Sequence, residues 1–145
     1  MSELNPENKC ADLINNEAKI PTIQEMFKMQ LDLQCSLAKK GKAVHPQFAP
    51  QDECIKDISI QWRNLTLEFA ELLERIPFKE WKTYTEEDWS KAFSEETILE
   101  TKFEYIDMFH FFMNIGLLIG IDGEEFAKLY YLKNKENFAR QERGY

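Results

Sequence analysis

The segments Glu68-Phe69-Ala70-Glu71 and Glu104-Tyr105-Ile106-Asp107 each place two carboxylates three residues apart. Residues three apart lie on the same face of a helix, so each pair would project from one side of its helix. Four carboxylates from two helices provide the hard oxygen ligands that Mg²⁺ prefers. The two segments therefore predict a pair of helices built around a divalent-cation site.

The rest of the chain reads as a helical scaffold, with apolar residues recurring every three or four positions and recognisable helix starts and stops. Thr22-Ile23-Gln24-Glu25 has the form of a capping box, Pro77 ends or kinks the longest helix, and Ser94 and Asp122 are candidate N-caps. We expect an all-α bundle of four main helices in a single domain, residues 1–145, with residues 1–20 as a loose lead-in. The helices are expected over about 22–40, 52–76 and 95–119, and from Asp122 to near the C-terminus.

The apolar stripe of the second helix is expected to face the core. Glu68 and Glu71 flank that stripe, so we expect them at the edge of the core rather than fully in solvent. The stripe consists of Ile58, Trp62, Leu65, Phe69, Leu72 and Ile76.

Charge and composition restrict the possible partners. The formal net charge is −8 and the isoelectric point about 4.9, which argue against binding to nucleic acid or to an anionic membrane. The apolar run from Phe109 to Ile121 is too short to span a bilayer. Three cysteines without a C-x-x-C pair favour a reduced, cytoplasmic chain. A small anion remains possible as a ligand where cations receive it.

Further polar groups recur at helical spacing. Gln30 and Gln34 fall on the apolar face of the first helix, where they either bond backbone and water or read the edge of a base. On the last helix, lysine, asparagine and arginine share a face that suits phosphate oxygens, or else forms a solvated tail. This face consists of Tyr130, Lys133, Asn137 and Arg140. The aromatic, lysine-containing segment 77–94 is either a pocket wall or a lid over the core.

The carboxylate pairs have three interpretations. They could be ordinary surface charges, although the second pair lies in the most apolar helix, where unpaired carboxylates are costly. They could hold two divalent cations that bridge polyphosphate oxygens and activate water, which implies hydrolysis of a nucleoside polyphosphate. A di-iron centre would need a Glu-x-x-His motif on each of two helices, and only Asp107-x-x-His110 supplies half of one.

The sequence resembles the all-α NTP pyrophosphohydrolase (MazG-like) superfamily over about residues 22–145. Within it, the chain is similar to the dimeric dUTPases and the related dCTP pyrophosphatase of T-even-type phages. The closing segment is the most specific part of the resemblance. The segments that carry the resemblance are Glu68-x-x-Glu71, Phe78-Lys79-x-Trp81-Lys82, Glu104-x-x-Asp107-x-x-His110-Phe111 and Tyr130-x-x-Lys133-Asn134-x-x-Asn137-x-x-Arg140-Gln141-x-x-Gly144-Tyr145.

The resemblance implies a Mg²⁺-dependent homodimer, with two or more ions, that cleaves a small-molecule nucleotide, dUTP or dCTP, to the monophosphate and pyrophosphate in the cytoplasm. It assigns metal binding to Glu68, Glu71, Glu104 and Asp107, with a glutamate of the first pair, Glu68 in preference to Glu71, activating water. It assigns the phosphates to Lys133, Asn137, Arg140, Lys82 and Tyr145. It assigns the base to Gln30, Gln34, Trp81 and His110.

The chain departs from the family pattern in two places. The family motif has asparagine where this chain has Gln34, which leaves uracil and cytosine both open as the base. The 32 residues between the carboxylate pairs are a long spacing for the superfamily. The alternatives are a MazG-like enzyme with another nucleoside triphosphate substrate and a non-catalytic interaction protein on the same scaffold.

Overall fold

The computed structural model describes residues 19–144, so most of the predicted N-terminal lead-in, as well as Tyr145, lies outside the described part of the chain. Within it the chain forms five helices and no strand, which confirms the all-α class. The helices are α1 (Ile23–Lys39), α2 (Gln51–Glu74), α3 (Glu86–Ala92), α4 (Glu95–Leu118) and α5 (Gly123–Glu142).

The predicted helix starts are confirmed by side-chain hydrogen bonds to free backbone N–H groups. The Thr22 hydroxyl accepts from the Glu25 N–H at 3.2 Å, and the Glu25 carboxylate accepts from the Thr22 N–H at 2.7 Å, which completes the capping box. Ser94 Oγ accepts from the Thr97 N–H at 3.3 Å. Asp122 accepts from the Glu125 N–H at 2.8 Å.

The short helix α3 is an addition to the four predicted main helices. It begins at a second capping box, in which Thr85 and Asp88 each accept from the other's backbone N–H. The sequence signal, Thr-x-x-Asp, is present, but only seven residues follow before the helix ends. That length is too short to produce an apolar period, so periodicity alone does not predict this helix.

The chain divides into two compact units. The first consists of Lys19 and Ile60–Phe112, and the second of Ile20–Ser59 and residues 113–144. Each unit therefore combines segments that are distant in sequence. Helices α2 and α4 each contribute to both units.

The second unit is held by close packing of α1 against α5. The rings of Phe27 and Phe126 lie 5.3 Å apart between centroids. Gly123 lies so close to α1 that a Cβ there would be 2.5 Å from the Gln24 Cα, and one on Gly116 would be 3.3 Å from the Phe27 ring. Because glycine has no Cβ, Gly123 lets α5 approach the α1 backbone closely, and Gly116 lets the Phe27 ring pack against α4.

In the first unit, polar side chains are buried while part of the predicted apolar stripe of α2 is exposed. Gln61, Glu100 and Glu104 are buried, whereas Trp62 is 63% exposed and Phe69 44% exposed. The expectation that the whole α2 stripe faces a core within the chain is therefore wrong. The physical reason is that polar side chains next to the stripe on α2 face inward, which leaves part of the stripe on the surface.

Among the described residues, no single helix is both long and apolar enough to cross a membrane. Only α4 and α5 taken together pass such a test, and this pair is sharply bent at the break between them.

We predict that Gly123→Ala destabilises the protein, because the added methyl would overlap the α1 backbone. Overpacking of this kind costs about 1–3 kcal/mol. Urea unfolding of the variant should show a lower midpoint, whereas Lys128→Ala, at an exposed position of the same helix, should not. Equal midpoints for the two variants would contradict the close approach.

Candidate active site

Three of the four predicted metal ligands converge in the first unit. Glu68 and Glu71 from α2 and Glu104 from α4 each offer a carboxylate oxygen, and these oxygens all lie within 4.8 Å of one another. Glu104 is buried, Glu68 is half-buried and Glu71 is exposed. The cluster therefore opens towards solvent at its α2 side and is closed at its α4 side.

Helix geometry accounts for this convergence. Glu68 and Glu71 are one turn apart on α2, and Glu104 and Asp107 are one turn apart on α4. Asp107 is half-buried, and its charge acts on Glu68. The two predicted pairs thus belong to a single electrostatic cluster.

Arg75 enters the cluster from the end of α2. Its Nε donates to Glu104 Oε1 at 2.8 Å, and its Nη2 donates to the same oxygen. This buried carboxylate therefore has a cationic partner, as buried charges require. We did not anticipate Arg75 from the sequence, although it lies only four residues after Glu71, directly beyond the end of α2.

The proximity of the carboxylates raises the pKa of two of them. Burial raises the pKa of Glu68 above its usual 4.5, and the charges of Glu71, Asp107 and Glu104 add to the rise. Burial also raises the pKa of Asp107, His110 opposes that rise, and Glu104 adds to it. Both groups are harder to ionise here than in water, as expected for like charges held together.

The residues present suit a divalent cation of the Mg²⁺ type. All the donors are carboxylate oxygens, the hard ligands that Mg²⁺ takes at about 2.0–2.1 Å. Three carboxylate oxygens within 4.8 Å of one another are close enough to bind the same cation. A bound cation would neutralise the carboxylates and so remove the electrostatic repulsion between them.

His110 and Lys82 also lie in the first unit. His110 Nδ1 is 3.8 Å from Asp107 Oδ1, one helical turn away on α4. Lys82 lies over the Tyr84 ring, with Nζ 5.8 Å from the ring centroid. Trp81 is 77% exposed in the segment between α2 and α3.

The remaining predicted site residues lie in the second unit or beyond the described chain. Gln30 and Gln34 are buried on α1, and Gln30 Nε2 donates to Asn114 Oδ1 at 2.6 Å. Gln30 therefore has a side-chain partner within the second unit, Asn114, which the sequence did not reveal. Tyr145 lies outside the described residues.

The cationic face of α5 is largely exposed. Lys133 and Asn137 are exposed, and Arg140 Nε donates to Glu136 Oε1 at 3.2 Å. Arg143 Nη2 donates to that same oxygen at 2.6 Å. One glutamate therefore holds two arginines on the last two turns of the helix.

An all-helical chain in which carboxylates from two helices converge has the features of a cation-dependent hydrolase. A profile described as dUTPase matches residues 22–127 and 99–145 of the chain. The chain therefore belongs to the dUTPase family, which confirms the resemblance inferred from the sequence motifs.

The chain is similar to several phage proteins. It is 38% identical to a dCTP pyrophosphatase of Enterobacteria phage LZ5, covering 95% of this chain and 98% of that protein. It is 35% identical to a dCTP pyrophosphatase of Enterobacteria phage T4, covering 96% and 90% respectively. It is also 34% identical to a DNA replication protein of phage T4, over 89% of this chain but only 37% of that protein. No solved structure matches the chain significantly.

We predict that Glu68→Gln stabilises the metal-free protein at neutral pH. Because the folded-state pKa of Glu68 is raised, its ionised form opposes folding above that pKa, and the penalty disappears below the ordinary value of 4.5. Since Glu68 is only half-buried, the gain should be small, about 1–3 °C in melting temperature at pH 7.5.

The measurement is thermal unfolding in EDTA at pH 7.5 and at pH 4. The Glu68→Gln gain should shrink at the lower pH. The control is Glu80→Gln at an exposed position, which should show no such pH-dependent gain. A gain that is the same at both pH values would contradict the electrostatic origin.

Proposed function

We propose that the protein is a Mg²⁺-dependent deoxypyrimidine nucleoside triphosphate diphosphatase that hydrolyses dCTP, dUTP or both to the monophosphate and pyrophosphate. The family match and the names of the two phage pyrophosphatases confirm the predicted diphosphatase class. The observation that carries the mechanism is the convergence of Glu68, Glu71 and Glu104. Such a cluster is unfavourable by itself and becomes favourable with cations.

Glu68, Glu71, Glu104 and Asp107 are the proposed ligands of two or more Mg²⁺ ions. Four ionised carboxylates carry four negative charges, which two divalent cations would balance. The chemistry that bound Mg²⁺ supplies is charge neutralisation and polarisation of a phosphoryl oxygen.

The protein's own contribution to the reaction is to orient the groups and move one proton. Water attacks the α-phosphorus, the bond to the bridging oxygen between the α- and β-phosphates breaks, and pyrophosphate leaves. Glu68 is the proposed acceptor of the proton from the attacking water, with Glu71 as the alternative. Glu68 belongs to the carboxylate cluster and is only half-buried, so a water molecule can reach it.

The substrate-binding roles are proposals supported by residue chemistry and by the family match. Lysine, asparagine and arginine side chains supply N–H donors suited to phosphate oxygens. Amide and aromatic groups suit the edge and face of a pyrimidine. The proposed phosphate ligands are Lys133, Asn137, Arg140, Lys82 and Tyr145, and the proposed base ligands are Gln30, Gln34, Trp81 and His110.

We also propose that the protein works as a homodimer in the cytoplasm. An apolar groove of about 380 Å³ on the first unit includes Trp62 and Tyr105, each 63% exposed. Exposed apolar patches of this kind mark association surfaces. A sedimentation mass equal to one chain would contradict the dimer. A cytoplasmic setting agrees with the free thiols of Cys35 and Cys54.

We predict that Glu71→Gln reduces pyrophosphate release at least about 100-fold, because loss of one anionic ligand weakens the cation site. The assay uses Mg²⁺ with each of the four common dNTPs and dUTP in turn, so it reports activity and base preference together. Circular dichroism should show that the fold is intact.

The matched control is Glu74→Gln, one turn further along α2 and outside the cluster. It should keep activity within about twofold of the wild type. If no dNTP or dUTP released pyrophosphate with the wild-type protein, a non-catalytic interaction protein would be the better interpretation. Full activity of Glu71→Gln would remove that residue from the site.

We predict that Arg140→Ala raises the KM for the triphosphate about tenfold, since charge-assisted hydrogen bonds are worth about 1.5–3 kcal/mol. Arg143→Ala is the control, because both arginines contact the same Glu136 oxygen but only Arg140 is a proposed phosphate ligand. Steady-state kinetics should separate the two variants. If both variants raised the KM equally, the effect would come from the loss of a Glu136 partner or from disturbance of the helix end.

A further inference from the structure

Glu104 is the most deeply buried member of the carboxylate cluster, and one of its two oxygens is held by Arg75. Both Nε and Nη2 of the guanidinium donate to Oε1. The Glu104 side chain is 9% exposed and the Arg75 side chain 35% exposed. The partly exposed Arg75 side chain therefore holds the buried Glu104 carboxylate in place.

The end of α2 determines where Arg75 stands. The helix ends at Glu74, and the Arg75 N–H bonds to the Leu72 carbonyl at 3.2 Å in a tighter closing turn. Pro77 prevents further helical hydrogen bonding. Arg75 therefore lies in the turn that directly follows α2, where its side chain reaches Glu104.

We propose that Arg75 is a positioning residue for the metal site. By holding Oε1 it fixes the rotamer of Glu104, and with it the position of the carboxylate that approaches Glu68 and Glu71. The inference rests on the proposed metal site.

Two physical roles of Arg75 predict opposite effects on metal binding. If it only balances charge, its positive charge repels a cation, and removal of that charge should strengthen metal binding. If it positions Glu104, removal should weaken metal binding, because the freed carboxylate must be ordered again when the cation arrives. The geometry favours positioning, since two donors on one oxygen restrict rotation of the carboxylate.

Lysine separates charge from geometry. It preserves the positive charge, but its ammonium is a single point of contact on a flexible stem and does not reproduce the planar fork of arginine. A residue that acts through geometry should therefore be poorly replaced by lysine.

The test measures Mn²⁺ binding to the full chain by electron paramagnetic resonance of the free ion, without nucleotide. Arg75→Lys and Arg75→Met are both expected to weaken Mn²⁺ affinity about tenfold, the usual effect of removing a group that orients a metal ligand. Arg63→Met, at an exposed position of the same helix, is the control for loss of one positive charge and should bind Mn²⁺ as the wild type does. Thermal unfolding checks that each variant is folded.

A double-mutant cycle tests whether Arg75 acts through Glu104. In a Glu104→Gln background, Arg75→Lys should cause no further loss of Mn²⁺ affinity, because the carboxylate to be positioned is gone. An additive loss would overturn the inference.

The outcomes distinguish this inference from the proposed function. If the wild type binds no Mn²⁺, the proposed metal site itself fails. If the wild type binds and Arg75→Lys binds equally well, or Arg75→Met binds more tightly, only the positioning role is overturned. Weaker binding in both variants, with an unchanged control, supports it.

Discussion

Mutual repulsion of carboxylates is the constraint on which the first unit depends. Three carboxylate oxygens lie within 4.8 Å of one another, and at such distances like charges repel substantially even near a protein surface. Burial raises the pKa of both Glu68 and Asp107, and neighbouring carboxylates add to each rise. Only one nearby guanidinium, among the described residues, forms an ion pair with the cluster. The arrangement is therefore poor for stability and well suited to capturing cations, as is common at functional sites.

The second unit shows the opposite balance, because its stability comes from close apolar contact. Phe27 is buried against Phe126, and α5 begins at a glycine in close approach to the α1 backbone. The buried amides of Gln30 and Asn114 pair with each other, so their burial is compensated. Close packing and satisfied polar groups in this unit can offset the unfavourable electrostatics tolerated in the other.

The main features of the fold were predictable because they are local. Caps at Thr22, Ser94 and Asp122 and the break at Pro77 act over three or four residues, which a sequence displays directly. The spacing within each carboxylate pair is equally local. What could not be predicted is tertiary: which oxygen of Glu104 receives Arg75, which amide pairs with Gln30, and how closely Gly123 approaches Gln24. The apolar stripe on α2 misled for the same reason, since periodicity identifies an apolar face but not what covers it.

In the proposed homodimer, the exposed groove around Trp62 and Tyr105 would link folding to protein concentration. If a second copy covers these side chains, the buried apolar area contributes to stability only while the two chains are associated. Dilution would then act as a denaturant, and the melting temperature would fall as the chain concentration fell. The same sequence would therefore have a higher melting temperature when the protein is abundant than when it is scarce.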